Sequence, residues 1–175
     1  NVKNDNLILD SKQIYIDESC AESAKSAEVS SDDILFTMTG TKGKRDYFYT
    51  LLVNDGHTAD RHLFINQRVG LFRQKSPKIK MSFANYVLKE KRILDYIFLS
   101  ETGTANQGNL GIENISRDKL YITSHEEQEK IVVFLNEKCT QIDSLIAIKQ
   151  EKIEKLEQYK RSLIYEYVTG KREVS

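Results

Sequence analysis

One proline, two cysteines and no apolar run near the ~20 residues of a membrane span set the first limits on this 175-residue chain. Cys20 and Cys139 lie far apart, without CxxC spacing and without a histidine pattern beside either. That points to two free thiols in a reducing cytoplasm, with a disulfide as the lesser alternative and a thiol nucleophile below it. The start, Asn1-Val2-Lys3-Asn4-Asp5-Asn6, lacks the basic region and apolar core of a signal peptide. It also lacks an initiator Met, so the chain is expected to be processed or cut from something longer. With Pro77 alone, there is no Asn-Pro-Pro-Tyr-like loop for amino methylation.

What is present suits one compact domain with an appended element. Nine Tyr and seven Phe, in a chain 39% hydrophobic and 30% charged, argue against disorder. The formal net charge of zero conceals a division. Residues 1–40 carry three Lys against eight acids, a net of −5. Residues 41–98 carry twelve Lys or Arg against five acids, a net of +7. Residues 99–175 carry eleven bases against thirteen acids, a net of −2. A basic middle third is what a phosphate backbone attracts, and also what a Lys-rich solvated surface looks like.

Short extended runs are expected at Leu7-Ile8-Leu9 and Ile14-Tyr15-Ile16, separated by the turn-like Asp10-Ser11-Lys12-Gln13. Residues 18–31 read as a loop or short helix. Strands are expected at Ile34–Met38, Tyr47–Val53 (closed by Asn54-Asp55-Gly56), Leu63–Ile65 and Val69–Phe72. Gly40 and Gly43, with Lys42 and Lys44 beside them, form a tight turn able to approach another surface closely. After Pro77, the residues Phe83, Tyr86, Val87, Leu94 and Ile97 fall at helical spacing. Ser100–Asn109 reads as a loop, followed by a short helical turn and a strand at Leu120-Tyr121-Ile122.

The last third differs. Ser124 and Glu127 fit a capping box, and from there to about Val168 there is no Gly or Pro. Val132, Leu135, Cys139, Ile142, Ile146, Lys149, Ile153, Leu156, Lys160, Leu163 and Tyr167 alternate steps of three and four. This is a coiled-coil seam with two lysine interruptions. Glu151 with Lys155 and Glu157 with Arg161 are expected i,i+4 pairs, and Gly170 is the stop signal. A helix this long, roughly 65 Å, cannot bury its seam on a domain of about 120 residues and needs another helix as mate. The expected division is a domain over 1–123 and a spacer helix with tail over 124–175.

No reaction centre assembles from the remaining motifs. His125-Glu126-Glu127-Gln128-Glu129 lacks the second His of a zinc-protease motif, and Gly40–Lys44 lacks Walker A spacing. His57 and His62 read as polar loop residues rather than a metal or acid–base pair. What remains is binding. Lys42, Lys44, Arg45, Arg61, Arg68, Arg73, Lys75 and Lys78 interleave with Tyr47, Tyr49, Phe64 and Phe72. Lys and Arg contact phosphates, and Asn106, Gln107 and Asn109 are candidates to read base edges, although a plain polar turn would look the same.

The order of the pieces carries a resemblance. Asp33-Ile34-Leu35, then Gly40-Thr41-Lys42-Gly43-Lys44, then Ile65–Arg73 are similar to a "GDIL…GTxGR…NQxV…LR" run. Thr102-Gly103-Thr104, Gln107-Gly108-Asn109-Leu110 and Glu127–Ile131 follow. The chain finishes with Gln141–Ile146, Leu156–Ile164 and Val168-Thr169-Gly170-Lys171. Together these resemble the specificity subunits of type I restriction–modification systems over nearly the whole chain, most specifically in the final stretch. Asp32 stands where that pattern has Gly, and Ser124 where Pro is common. The chain begins inside the pattern's "NV…" strand, so the first strands of the recognition domain are expected to be missing.

The resemblance implies an α+β fold: a small target-recognition domain of twisted, β-helix-like strands with a few short helices, then one long coiled-coil helix. It implies a non-catalytic reader of double-stranded DNA that takes one half of a split site in the major groove. DNA contacts would come from Lys42, Lys44, Arg45, Tyr47, Arg61, Arg68, Lys75, Lys78, Asn106, Gln107 and Asn109. Leu135, Ile142, Ile146, Ile153, Leu156 and Leu163 would pair with a second recognition half, from the same full-length chain or a homodimer mate, and help dock methyltransferase subunits. No cofactor is expected on this chain. S-adenosylmethionine, ATP and Mg²⁺ would serve the methyltransferase and restriction subunits. The competing readings are a coiled-coil protein-interaction module without DNA specificity and a self-sufficient nuclease or methyltransferase fragment.

Overall fold

The computed structural model describes residues 2–3, 6–8, 14–104, 106–111, 115 and 122–174. The chain forms two compact units, Asn1–Val132 and Val133–Ser175. Its class is α+β, with small antiparallel sheets, short helices and one long helix.

In the first unit, β1 (Val2–Lys3) and β2 (Asn6–Leu7) form a short antiparallel pair, and α1 (Glu18–Ser23) follows. The central strand is β3 (Ile34–Thr37), flanked antiparallel by β5 (Thr50–Leu52) and β6 (Val69–Phe72). Ile34, Leu35 and Phe36 are all buried. Successive strand residues face opposite sides, so a continuous apolar run requires a core on each side. Ile34 and Phe36 join Tyr47, Phe48, Met81, Leu88 and Ile97 on one face, while Leu35 joins Val2, Val29, Leu51 and Val53 on the other. Phe36 stacks on Phe72 with centroids 4.4 Å apart. Its ring lies over Gly70 on the paired strand, where a Cβ would come within 2.1 Å of it, so only glycine fits.

Met38 hands the chain from this sheet to the next. Its N–H donates to Arg68 O at 2.9 Å, and its carbonyl accepts from Leu110 N at 3.0 Å. The second sheet has the order β4 (Thr39–Gly40), β8 (Gln107–Asn109), β7 (Thr102–Thr104). Helix α2 (Asp55–Thr58) lies between β5 and β6, and α3 (Met81–Val87) and α4 (Lys91–Leu99) lie between β6 and β7.

Several expectations shift. The 47–53 strand shortens because Phe48 takes φ 61 and turns its ring into the core. Thr37 O accepts from Phe48 N while Thr37 N donates to Tyr49 O, so two residues face one, as in a β-bulge. Leu63–Ile65 makes a single bridge, Glu28↔Phe64, rather than a strand. Asn54-Asp55-Gly56 opens α2 instead of closing a turn, with Asn54 as its cap. The helical pattern after Pro77 divides into α3 and α4 because Glu90, in extended conformation, accepts from Arg92 N and Ile93 N and starts a new helix. Ser100–Asn109 is a hairpin, not a loop. Ile14-Tyr15-Ile16 is not a strand among the described residues, and all three are exposed. The expectations at Leu9–Gln13 and Leu120-Tyr121, and most of the helical turn before them, lie outside the described residues.

Helix α5 (His125–Val168) begins in the first unit and supplies the second. Ser124 Oγ accepts from Glu127 N at 3.3 Å, which is the Ser124 half of the expected capping box. Gln128 is fully buried. Its amide donates to Lys78 O and Thr123 O, each at 2.9 Å, and accepts from Lys80 N at 2.8 Å. At 44 residues, α5 is about 66 Å long at ~1.5 Å per residue. In the second unit, Ile142, Ile146, Ile153 and Leu156 are exposed, while Leu163 is half-buried. Leu135 is half-buried too. Lys155 pairs with Glu151 at 2.6 Å, whereas the Glu157–Arg161 pair is not made among the described residues. Gly170, at φ 70, ends the helix with its N–H donating to Tyr167 O.

Candidate nucleic-acid interface

The second sheet joins two regions that sequence keeps about sixty residues apart. Thr39 and Gly40 pair with Asn109 and Gly108, so the basic turn after β4 lies against the β7–β8 hairpin. Lys42 Nζ donates to Gly103 O at 2.8 Å. Gly43, at φ 77, points its N–H at Glu101, 3.2 and 3.1 Å from the two carboxylate oxygens. Tyr47 OH donates to Glu101 Oε1 at 2.6 Å. Within the turn, Thr41 N donates to Asp46 Oδ1 at 2.7 Å and Lys44 N to Thr41 O at 3.1 Å.

The electrostatics follow from these contacts. Hydrogen bonds from Thr41 hold the Asp46 carboxyl below the ordinary carboxylate range. Asp95 on α4 is held low by Lys91 first and Arg45 second. Burial, then the hydrogen bond to Glu101, pushes the Tyr47 hydroxyl well above its ordinary value. Arg45 adopts φ 52, pairs with Asp95 and lies over the Phe98 ring at 5.4 Å. The turn is therefore tied to the hairpin by Lys42 and Glu101 and to α4 by Arg45.

The fold thus groups Lys42, Lys44 and Arg45 with Asn106, Gln107 and Asn109. Lys44 is exposed. Asn106 sits at the hairpin tip, and Gln107 and Asn109 share one strand face, with Gln107 Nε2 3.5 Å from Asn109 Oδ1. Arg68 is exposed beside β6, its carbonyl fastened to Met38 just before β4.

The other candidates lie elsewhere in the first unit. Arg61 is exposed beside an open cavity of about 610 Å³ that is also lined by Glu28, Thr58 and His62. Lys75 and Lys78 belong to the segment before α3, and the Lys78 carbonyl is one of the groups held by Gln128. Tyr47 needs correction as a DNA contact. It is only 3% exposed, with its ring edge-on to Phe98 at 5.0 Å, so it supports the turn from within. Arg73, in the same basic run, forms two hydrogen bonds to buried Asp33, at 2.9 and 2.6 Å, and is likewise structural. His57 completes the capping box with Asn54, and His62 pairs with Glu28 at 2.6 Å.

Sequence reasoning passed over Glu101 and Asp95, the carboxylates that tie the basic turn to the hairpin and to α4. Their acidic character set them apart from a basic patch, and no local spacing links either to Tyr47 or Arg45.

Polar side chains on a braced hairpin, a basic turn against it and a long helix with an apolar seam describe a recognition module. A family model described as the type I restriction modification DNA specificity domain matches residues 11–158, most of the chain, which therefore belongs to that family. The family consists of non-catalytic DNA-recognition subunits, so the role of this chain is DNA specificity in type I restriction–modification. No curated protein matches the chain. Among the described residues, no helix is long and apolar enough to cross a membrane.

Proposed function

We propose that this chain reads the base sequence of double-stranded DNA as the specificity subunit, or half of one, of a cytoplasmic type I restriction–modification complex. It positions methyltransferase and restriction subunits on a two-part site. The observation that carries this reading is the β4–β8–β7 sheet, which sets a basic turn and an Asn/Gln hairpin side by side. Phosphate contacts fix register and base-edge contacts specify sequence, so a reader needs both at fixed spacing. Lys44 and Arg45 meet phosphates. Asn106, Gln107 and Asn109 are presented to base edges, where an amide can hold adenine through two hydrogen bonds.

In this reading the α5 seam, Leu135, Ile142, Ile146, Ile153, Leu156 and Leu163, pairs with the helix of a second recognition half and helps dock the methyltransferase. Its length of about 66 Å matches roughly two DNA turns at ~34 Å each. The partner subunits use S-adenosylmethionine, ATP and Mg²⁺, and this chain binds none of them.

The test is DNA binding by the chain assembled with its methyltransferase subunits, followed across salt concentration. Affinity is expected to fall steeply with salt. Lys44→Ala weakens binding to all sequences and lowers the salt slope by about one. Gln107→Ala relaxes preference at one or two positions, by about 1–3 kcal/mol. The exposed seam on α5 also suits a second reading, a coiled-coil interaction module without DNA specificity. Absent or salt-insensitive DNA binding by the assembled complex would decide for it.

A further inference from the structure

Glu101 presents an electrostatic puzzle. It is a carboxylate within the proposed phosphate-facing surface, where a negative charge opposes binding. Yet it is the most connected side chain of the turn–hairpin pair. Its Oε1 accepts from Tyr47 OH at 2.6 Å, and both its oxygens lie within 3.2 Å of Gly43 N. One side of it is tightly approached: a Cβ on Gly108 would lie 2.5 Å from Glu101 Oε1 and 2.6 Å from Tyr47 OH. The backbone of β8 therefore passes directly against this hydrogen-bonded pair, and glycine is the residue that allows it.

We infer that Glu101 is a positioning residue for sequence discrimination: it locks the phosphate-facing turn, Lys42–Arg45, to the base-facing hairpin, Thr102–Asn109, so that the two engage DNA in one register. The inference rests on the DNA-recognition reading. Hydrogen bonds to an ionised acceptor are roughly twice as strong as neutral ones, so the charge that opposes phosphates is what makes the lock firm. Burial and the bond to Glu101 both keep the Tyr47 hydroxyl protonated, so its donor is present at any physiological pH. A lock of this kind gives up general affinity for discrimination. Without it, turn and hairpin can each find contacts on DNA independently, and a wrong sequence loses less.

The experiment uses the full chain assembled with its methyltransferase subunits. A duplex enriched by the wild-type complex from a randomised library is compared with a scrambled duplex of the same length. Glu101→Gln preserves shape and removes the charge. It is expected to lower the enriched-to-scrambled affinity ratio about tenfold, the scale of one charge-assisted hydrogen bond, while binding the scrambled duplex more tightly. Tyr47→Phe removes only the hydroxyl; it should lower the ratio and leave scrambled binding unchanged.

Equal weakening on both duplexes by Glu101→Gln would reduce Glu101 to ordinary packing and overturn the inference. So would a wild-type ratio in both variants. Should Glu101→Gln fail to fold, the Tyr47→Phe ratio decides alone. A wild-type complex that binds DNA but enriches no sequence, or binds none, overturns the recognition reading and this inference with it. An enriched sequence whose preference survives both variants sinks this inference only.

Discussion

Ile34 and Ile146 are the same residue in opposite circumstances. Ile34 is completely buried in a strand with a core on each face, whereas Ile146 remains 58% exposed on a helix. In the first unit, three short strands and two helices converge on each other, and apolar side chains scattered through the sequence find one another. The second unit is one element, and a single helix has no second layer to bury a stripe against. Its seam is as regular as any in the chain, but regularity supplies only one half of a contact. The first unit thus carries its own stabilising partners, and the second advertises for one.

The largest effect that could break this contrast is in the core. Phe36→Ala removes the ring that stacks on Phe72 and covers Gly70, and is expected to cost about 3–5 kcal/mol. Thermal unfolding should show the loss in strand signal. An unchanged midpoint would mean that the first unit does not depend on that core.

Next is Ile146→Asp, which places an unpaired carboxylate on the seam. Pairing with a mate helix should weaken more than about a hundredfold, read by sedimentation, with the first unit's melting unchanged. If the first unit melts earlier, the two regions are not energetically separate.

Acid gives a smaller, local effect. Asp46 and Asp95 are both held below their ordinary value of 3.8. A depressed folded value means that folding favours the charged form. The contribution is therefore complete above the ordinary value and disappears as pH falls through the lower folded one. Protection of the Thr41 amide, taken relative to its intrinsic exchange rate at each pH, should hold at neutral pH and fall only below about pH 4. Protection lost already near pH 6 would assign the turn's order to other groups.

The smallest effect is at Asp32, which adopts φ 67. This left-handed conformation suits glycine, and the related pattern has glycine there. Asp32→Gly is expected to stabilise the first unit by at most about 1 kcal/mol, because relief of strain is partly offset by the greater freedom of the unfolded chain. A clear loss of stability would show that the Asp side chain does more than tolerate the turn.

Which parts of this were legible from sequence depended on how local their causes are. The α5 helix was readable because periodicity, start signal and stop glycine all lie within the segment itself. β3 was readable as a strand, and its uninterrupted Ile34-Leu35-Phe36 run matched burial on both sides. The hairpin at Thr102–Asn109 read as a loop because its residues are small and polar; it is a sheet only because β4 supplies a third strand from far away. For the same reason, Tyr47 passed for an interface aromatic. Its burial depends on Phe98 and Glu101, about fifty residues later. The basic turn and the amide-rich segment were each visible as candidates, but their adjacency was not, since it is a property of strand pairing.

Among the described residues, the Gln128 side chain grips main chain only: the carbonyls of Lys78 and Thr123 and the N–H of Lys80. Any residue but proline at position 80, and any residue at all at 78 or 123, offers the same groups. Such a clasp is indifferent to the text of what it fastens. The stretches around it can be rewritten residue by residue while the start of the helix keeps its seat.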